Sequence, residues 1–183
     1  MDLKSSIRTI VDYPKPGIRF RDITSLLCYP EAFRYSVDLL YQEFHSTELD
    51  GLIAVDARGF LFASALAYQL HLPLFLVRKE GKLPGETISS DYELEYATNR
   101  LEMHIDSFEA GSRVAIIDDL IATGGTAMAT VKLIEELGGS VVACAVVVEL
   151  TDLGGRDRIS PIPLHSLVTF REDEIRASQC LCD

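Results

Sequence analysis

Basic residues are in short supply in this chain: 17 lysines and arginines face 28 aspartates and glutamates, giving a net charge of −11. Such a field repels phosphate backbones and anionic lipid, so nucleic acid and membrane surfaces are excluded as partners. An anionic small ligand must then be held by a local device, such as the backbone N–H groups of a helix start or a bound cation.

Cysteine is also sparse. Cys28, Cys144, Cys180 and Cys182 form no CxxC pair, and Cys144 lies inside an apolar run as a small core side chain. The expected setting is therefore reducing and cytoplasmic. His45, His71, His104 and His165 show neither HExxH nor any clustered ligand spacing, so no resident metal site is assigned. No apolar run is long enough to cross a bilayer, and the opening MDLKSSIRTIVDY lacks a signal-peptide core. GxxxxGK[ST] and GxGxxG are both missing, which disfavours nucleotide-triphosphate hydrolysis and dinucleotide binding.

What is present is a composition that folds. Hydrophobic residues make up 48% and charged residues 25% of 183, enough for one domain with a real core. Leu3, Ile7, Ile10 and Val11 fall at helical spacing and predict a short first helix, stopped by Pro14, Pro16 and Gly17. Phe33, Val37, Leu40, Tyr41 and Phe44 predict a second, entered through Pro30 and Glu31. Leu52 to Val55 reads as a buried strand, Gly59 to Leu70 as a helix, and Leu74 to Val77 as the next strand.

Lys79 to Asp91, rich in Gly, Pro, Ser and charge, then interrupts the alternation. Beyond it Leu101, Met103 and Ile105 alternate with Glu102 and His104, predicting antiparallel strands with one wet face. Val114 to Ile117, Thr126 to Leu137 and Val141 to Val148 resume as strand, helix and strand. The expected fold is α/β: a doubly wound, mainly parallel sheet with N-terminal helices and a hairpin-like excursion in the middle.

In such a sheet ligands bind where strands end and helices begin. The informative string is VAIIDDLIATGGTA, residues 114–127. A buried strand delivers Asp118 and Asp119 at its C-terminal edge, and Ala122, Thr123, Gly124, Gly125 and Thr126 make a small turn opening a helix. Small residues let the backbone close around an anion, while free N–H groups and the helix dipole supply positive potential. Two ionised carboxylates about 5 Å apart repel by roughly 3 kcal/mol at an effective dielectric near 20. The pair therefore calls for hydrogen-bond donors, a metal or a cationic species beside it, such as sugar hydroxyls and a ribosyl centre losing its leaving group.

This string resembles the phosphoribosyl-diphosphate signature of the type I phosphoribosyltransferases. PKPGIRFRDIT, DARGFLF, RKEGKLPGET, LEYATNRLEMH and VVELTDLGGRDRI resemble the adenine-using branch of that family, so the likeness covers about Ile7 to Phe170. Ala57 stands where relatives often have Ser, and the tail after Phe170 has no counterpart. The resemblance implies one domain over 1–183, with residues 1–30 as a hood contributing to the base pocket, 79–105 as a flexible flap and 171–183 as a tail. It implies transfer of a 5-phosphoribosyl group from phosphoribosyl diphosphate to adenine, giving AMP and pyrophosphate, with Mg²⁺ carried by the substrate, in a homodimer.

Roles follow residue by residue. Asp118 and Asp119 suit the ribose hydroxyls and the oxocarbenium-like charge that grows as pyrophosphate leaves. Residues 122–126 take the 5′-phosphate. Arg58, Arg78 and Lys79 are placed to meet pyrophosphate, and Gly59 beside Arg58 permits an unusual backbone and close approach to a ligand. By resemblance, a non-proline cis peptide is expected at Asp56–Ala57, Glu95 acts as general acid or base toward the purine, and Tyr96 rides on the flap. Phe20 fits a base-stacking role, with backbone near Arg21 reading the adenine edge and Leu150 closing the other face. Two alternatives stay open: a regulator that senses phosphoribosyl diphosphate through the same loop, and a transferase for another base.

Overall fold

The computed structural model describes residues 1–94 and 97–171. Its main sheet is built from β3 (Gly51–Val55), β4 (Leu74–Lys79), β5 (Thr87–Leu94), β6 (Ala97–His104), β7 (Arg113–Ile121), β8 (Ser140–Leu150) and β9 (Leu164–Phe170). They lie in the order β5-β6-β4-β3-β7-β8-β9. The pairs from β4 through β3, β7 and β8 to β9 are parallel, while β6 joins β4 and β5 antiparallel. The expected doubly wound, mainly parallel sheet with an antiparallel excursion is thus what the chain forms.

Alternation along the central strands divides the core into two layers, as a period of two requires. Leu52, Ala54, Ala115, Ile117, Ala143 and Ala145 face one way, onto α2 (Pro30–Phe44) and α3 (Gly59–Leu70). Ile53, Val55, Val114, Ile116, Cys144 and Val146 face the other way, onto α4 (Gly125–Glu136) and α5 (Gly155–Ile159). The first face is lined with alanine, so α3 lies close and buries Phe62, Ala63, Leu66 and Ala67 against it.

The site's position follows from this winding. From β3 the chain crosses through α3 to β4 on one side, whereas β7 crosses through α4 to β8 on the other. The adjacent C-terminal ends of β3 and β7 therefore open a crevice, at Asp56 to Gly59 and Asp118 to Gly125.

Two expectations need correction. The opening segment is not a helix: a 3₁₀ turn, Leu3–Ser6, is followed by β1 (Arg8–Val11), which pairs antiparallel with β2 (Arg19–Asp22). Leu3 and Ile7 are buried as the spacing required, but Thr9, Ile10 and Val11 are a β-branched run that favours a strand. The only helix before α2 is the four-residue α1 (Thr24–Leu27). Within the stretch read as irregular, β5 already begins at Thr87. Cys180 and Cys182 lie outside the described residues.

Candidate active site

Valine and isoleucine carry β7 through the core, and the strand continues past them to Ile121, so Asp118 and Asp119 sit within its last turn of ladder pairing. Asp118 Oδ1 accepts a hydrogen bond of 2.8 Å from the Asp119 backbone N–H. Asp119 is 5% exposed. The Nε of Arg58, from the start of α3, lies 2.8 Å from Asp119 Oδ2. No N–H is directed along that contact, which leaves Oδ2 buried without a hydrogen-bond donor.

Burial is the first cause that raises both carboxyl pKa values. The negative charge of Asp119 adds to the rise at Asp118, while the Arg58 guanidinium opposes it at Asp119. Asp118 keeps some residue surface open to the crevice, but its carboxyl is flanked by protein. Gly59 accounts for part of that flank: a Cβ there would stand 2.8 Å from Asp118 Oδ1 and 2.9 Å from the Ile117 carbonyl oxygen. The expectation for Gly59 is thereby corrected. Its φ is not in the left-handed region, and its smallness admits the end of β7.

The turn Ala122 to Thr126 joins β7 to α4 as expected. Gly124 supplies the left-handed N-cap, φ +76°, and no side chain caps the helix. The first-turn N–H groups therefore have no side-chain acceptor of their own. The turn rests on the segment after β8: a Cβ on Gly155 would fall 2.3 Å from the Ala122 carbonyl oxygen, and one on Gly124 2.9 Å from the Gly155 carbonyl oxygen. A repeated Gly-Gly at 154–155 was the signal in the sequence for this close approach.

The peptide Asp56–Ala57 is cis, where the resemblance placed one. Asp56 Oδ2 accepts from Arg78 Nε at 3.3 Å and from the Lys79 backbone N–H at 3.4 Å, and Arg78 Nη1 donates to the Lys82 carbonyl at 3.0 Å. Arg58 and Arg78 thus reach the crevice already paired with aspartates. Lys79 is exposed.

Beside this crevice lies a cavity of about 290 Å³ lined by Gly17, Ile18, Arg19, Arg21, Thr123, Leu150, Asp152 and Leu153. It brings Arg21 and Leu150 together with the turn. Phe20, on β2 between Arg19 and Arg21, is not among the residues that line this cavity; its ring lies 5.3 Å from the Arg58 guanidinium and is packed edge-on by Tyr13. The Arg21 side chain turns into the protein: its Nη1 donates to Thr9 Oγ1 at 2.6 Å, its Nη2 to the Arg171 carbonyl at 3.0 Å, and its plane covers Phe170 at 4.3 Å. Glu95 and Tyr96 lie outside the described residues.

Sequence reasoning missed the Asp56–Arg78 pair and the whole of Gly154 to Ile159. Both join groups distant in the chain, and α5 is too short for periodicity to reveal.

The model of the phosphoribosyl transferase domain matches residues 23–173. An adenine phosphoribosyltransferase of Brachyspira hyodysenteriae is 49% identical over 93% of this chain and 100% of its own length. The crystal structure of adenine phosphoribosyltransferase from Thermoanaerobacter pseudethanolicus is similar with a TM-score of 0.89 at 47% identity, over 92% of this chain and 98% of that one. That from Trypanosoma brucei, in complex with AMP, pyrophosphate and ribose-5-phosphate, has a TM-score of 0.85 at 30% identity, over 91% of this chain and 77% of that one. With paired carboxylates at a strand end, an uncapped glycine turn beside them and these relatives across nearly its whole length, the chain belongs to the phosphoribosyltransferase family.

Proposed function

We propose that the protein transfers the 5-phosphoribosyl group of phosphoribosyl diphosphate to adenine, yielding AMP and pyrophosphate. The observation that carries this reading is the Asp118–Asp119 pair followed by the Ala122–Thr126 turn, whose Thr123 lines a cavity of about 290 Å³. Relatives named for this activity, one of them holding AMP, pyrophosphate and ribose-5-phosphate, support it.

In the reaction, the adenine N9 lone pair forms the bond to C1′ as the C1′–O bond breaks, and pyrophosphate departs with that electron pair. The N9 proton passes to a base, for which Glu95 is the candidate by resemblance, with Tyr96 beside it on the flap. The 5′-phosphate sits on the first-turn N–H groups of Ala122 to Thr126, which use the dipole of α4. Asp118 and Asp119 accept from the ribose hydroxyls and oppose the positive charge that develops at C1′.

Arg58, Arg78 and Lys79 serve the diphosphate. The first two exchange single contacts with Asp119 and Asp56 for phosphate oxygens, which can accept from a guanidinium in a bidentate fork. Because Arg58 also covers Phe20, its movement toward the diphosphate uncovers the ring on which the base stacks. Backbone beside Arg21 reads the adenine edge, and Leu150 closes the opposite wall.

Magnesium carried by the donor belongs to this reading. Asp118 and Asp119 offer the hard oxygen groups such a cation would prefer, once Arg58 has turned from Asp119 to the diphosphate. When bound, the cation offsets charge on the diphosphate. A homodimer in the cytoplasm completes the proposal, with residues 1–30 as hood, 79–105 as flap and 171–183 as tail of one domain.

The test is pyrophosphate release from phosphoribosyl diphosphate and Mg²⁺, with adenine, hypoxanthine, guanine, xanthine, uracil and orotate offered separately. Fast release with adenine alone is expected. Release with another base overturns the pocket assignment, and donor binding without release from any base overturns the enzyme in favour of a sensor.

A further inference from the structure

Glu149, at the end of β8, is 4% exposed, and a carboxylate so placed persists only when paired. Its partner is Arg156 of α5, which donates from Nε to Oε1 at 2.8 Å and from Nη2 to Oε2 at 2.5 Å. The same guanidinium donates from Nη1 to the Leu164 carbonyl at 2.9 Å and from Nη2 to Ser166 Oγ at 3.2 Å, while Ser166 Oγ donates to Glu149 Oε2 at 2.6 Å. One planar fork therefore fastens the segment Thr151 to Ile159 to β9, at the edge of the sheet, and to its neighbour β8.

That segment has two working surfaces. Asp152 and Leu153 line the cavity beside Leu150 of β8, and Gly155 sets its backbone against the carbonyl of Ala122. Arg158, from the same short helix, reaches the Thr123 carbonyl at 3.5 Å. None of these residues belongs to α4 or to the hairpin β1–β2, so the wall of the cavity and the floor of the turn share one support.

We propose that Arg156, through Glu149 and Ser166, is a positioning residue that sets the phosphate turn and the base-pocket wall as a single unit. This rests on the reading of those two surfaces as donor and base subsites. A neutral residue in place of Arg156 leaves Glu149 buried without its fork, frees the segment and loosens both subsites together. Arg156→Lys keeps the charge but loses the fork, and recovers only part of the effect.

The experiment compares wild type, Arg156→Met, Arg156→Lys and the double variant Glu149→Gln/Arg156→Met, which removes the stranded charge and so protects folding. Two readouts are taken. Amide exchange is expected to quicken together in peptides covering residues 122–127 and 150–159, and to stay unchanged at 51–55. The KM values for phosphoribosyl diphosphate and adenine are both expected to rise, by about tenfold in Arg156→Met and less in Arg156→Lys. Faster exchange confined to 150–159, or two unchanged KM values in a folded double variant, overturns the brace. A wild-type protein without transferase activity overturns the functional reading instead, and the exchange comparison still decides the brace.

Discussion

The two sides of the crevice are built by different means. The donor side is one unbroken stretch, Asp118 to Thr126, in which a buried strand, a glycine turn and a helix start follow one another directly. The base side is gathered from far apart: Ile18 and Arg21 come from the opening hairpin, Leu150 and Leu153 from the far end of the chain. What holds the first is local geometry on core elements, with the backbone of Gly155 set against its turn. What holds the second is a set of side-chain anchors, above all the buried guanidinium of Arg21 against Thr9, Phe170 and Arg171. In the proposed reaction, chemistry belongs to the continuous side and recognition to the assembled one.

The sharpest way to separate the two is to remove charge from the donor side. Asp119→Asn is expected to lower kcat by about 10²-fold with a much smaller change in donor affinity, since its carboxylate works on charge present only in the transition state. Steady-state and donor-binding measurements check this; an unchanged kcat removes Asp119 from the mechanism. Next in size is Gly59→Ala. Its Cβ meets Asp118 Oδ1 and the Ile117 carbonyl, so the end of β7 must shift. About a tenfold loss in kcat and a destabilisation of about 1–3 kcal/mol are expected, from kinetics and chemical denaturation.

A smaller effect has the opposite sign. The Asp118 carboxyl titrates above the usual range because burial and Asp119 penalise its ionised form, so at neutral pH the charge costs stability. Asp118→Asn is expected to raise Tm by a few degrees at pH 7 while lowering activity. The gain should vanish below the ordinary carboxylate pKa, where Asp118 is protonated in both folded and unfolded states. An Asn variant less stable than wild type at pH 7 contradicts that penalty.

The smallest effect belongs to Glu149, whose pKa is lowered by hydrogen bonds from Arg156 first and, against the opposing effect of burial, from Ser166. Its contribution to stability is present above the ordinary glutamate range and is lost as pH falls through its depressed folded value. Glu149→Gln, compared with wild type, should flatten the acid side of the stability profile; an unaltered slope would show that the pair is not linked to folding.

The same contrast explains what could be read from the sequence. The core pairs β3–α3–β4 and β7–α4–β8 were legible because their apolar runs and helical periods have a local cause, and the donor stretch was legible with them. The opening hairpin was not: Leu3, Ile7, Ile10 and Val11 satisfy helical spacing by coincidence, and only pairing with β2 makes the β-branched run a strand. β9 was missed because its residues are mostly half-buried and mixed in type. The placing of Asp118, Asp119 and residues 122–126 at the end of β7 and the start of α4, and of Arg58 at the start of α3, was legible from the strand and glycine pattern. The pairings Arg58–Asp119, Arg78–Asp56 and Glu149–Arg156 were invisible because each depends on a contact that the fold alone creates.

The direct test of the divided crevice is two-substrate steady-state kinetics of Arg21→Met. Loss of the anchor releases the hairpin but leaves Asp118 to Thr126 on their core elements. The KM for adenine is expected to rise about tenfold, while the KM for phosphoribosyl diphosphate stays within twofold of wild type. An equal rise in both KM values, or a rise in the donor KM alone, would contradict the account.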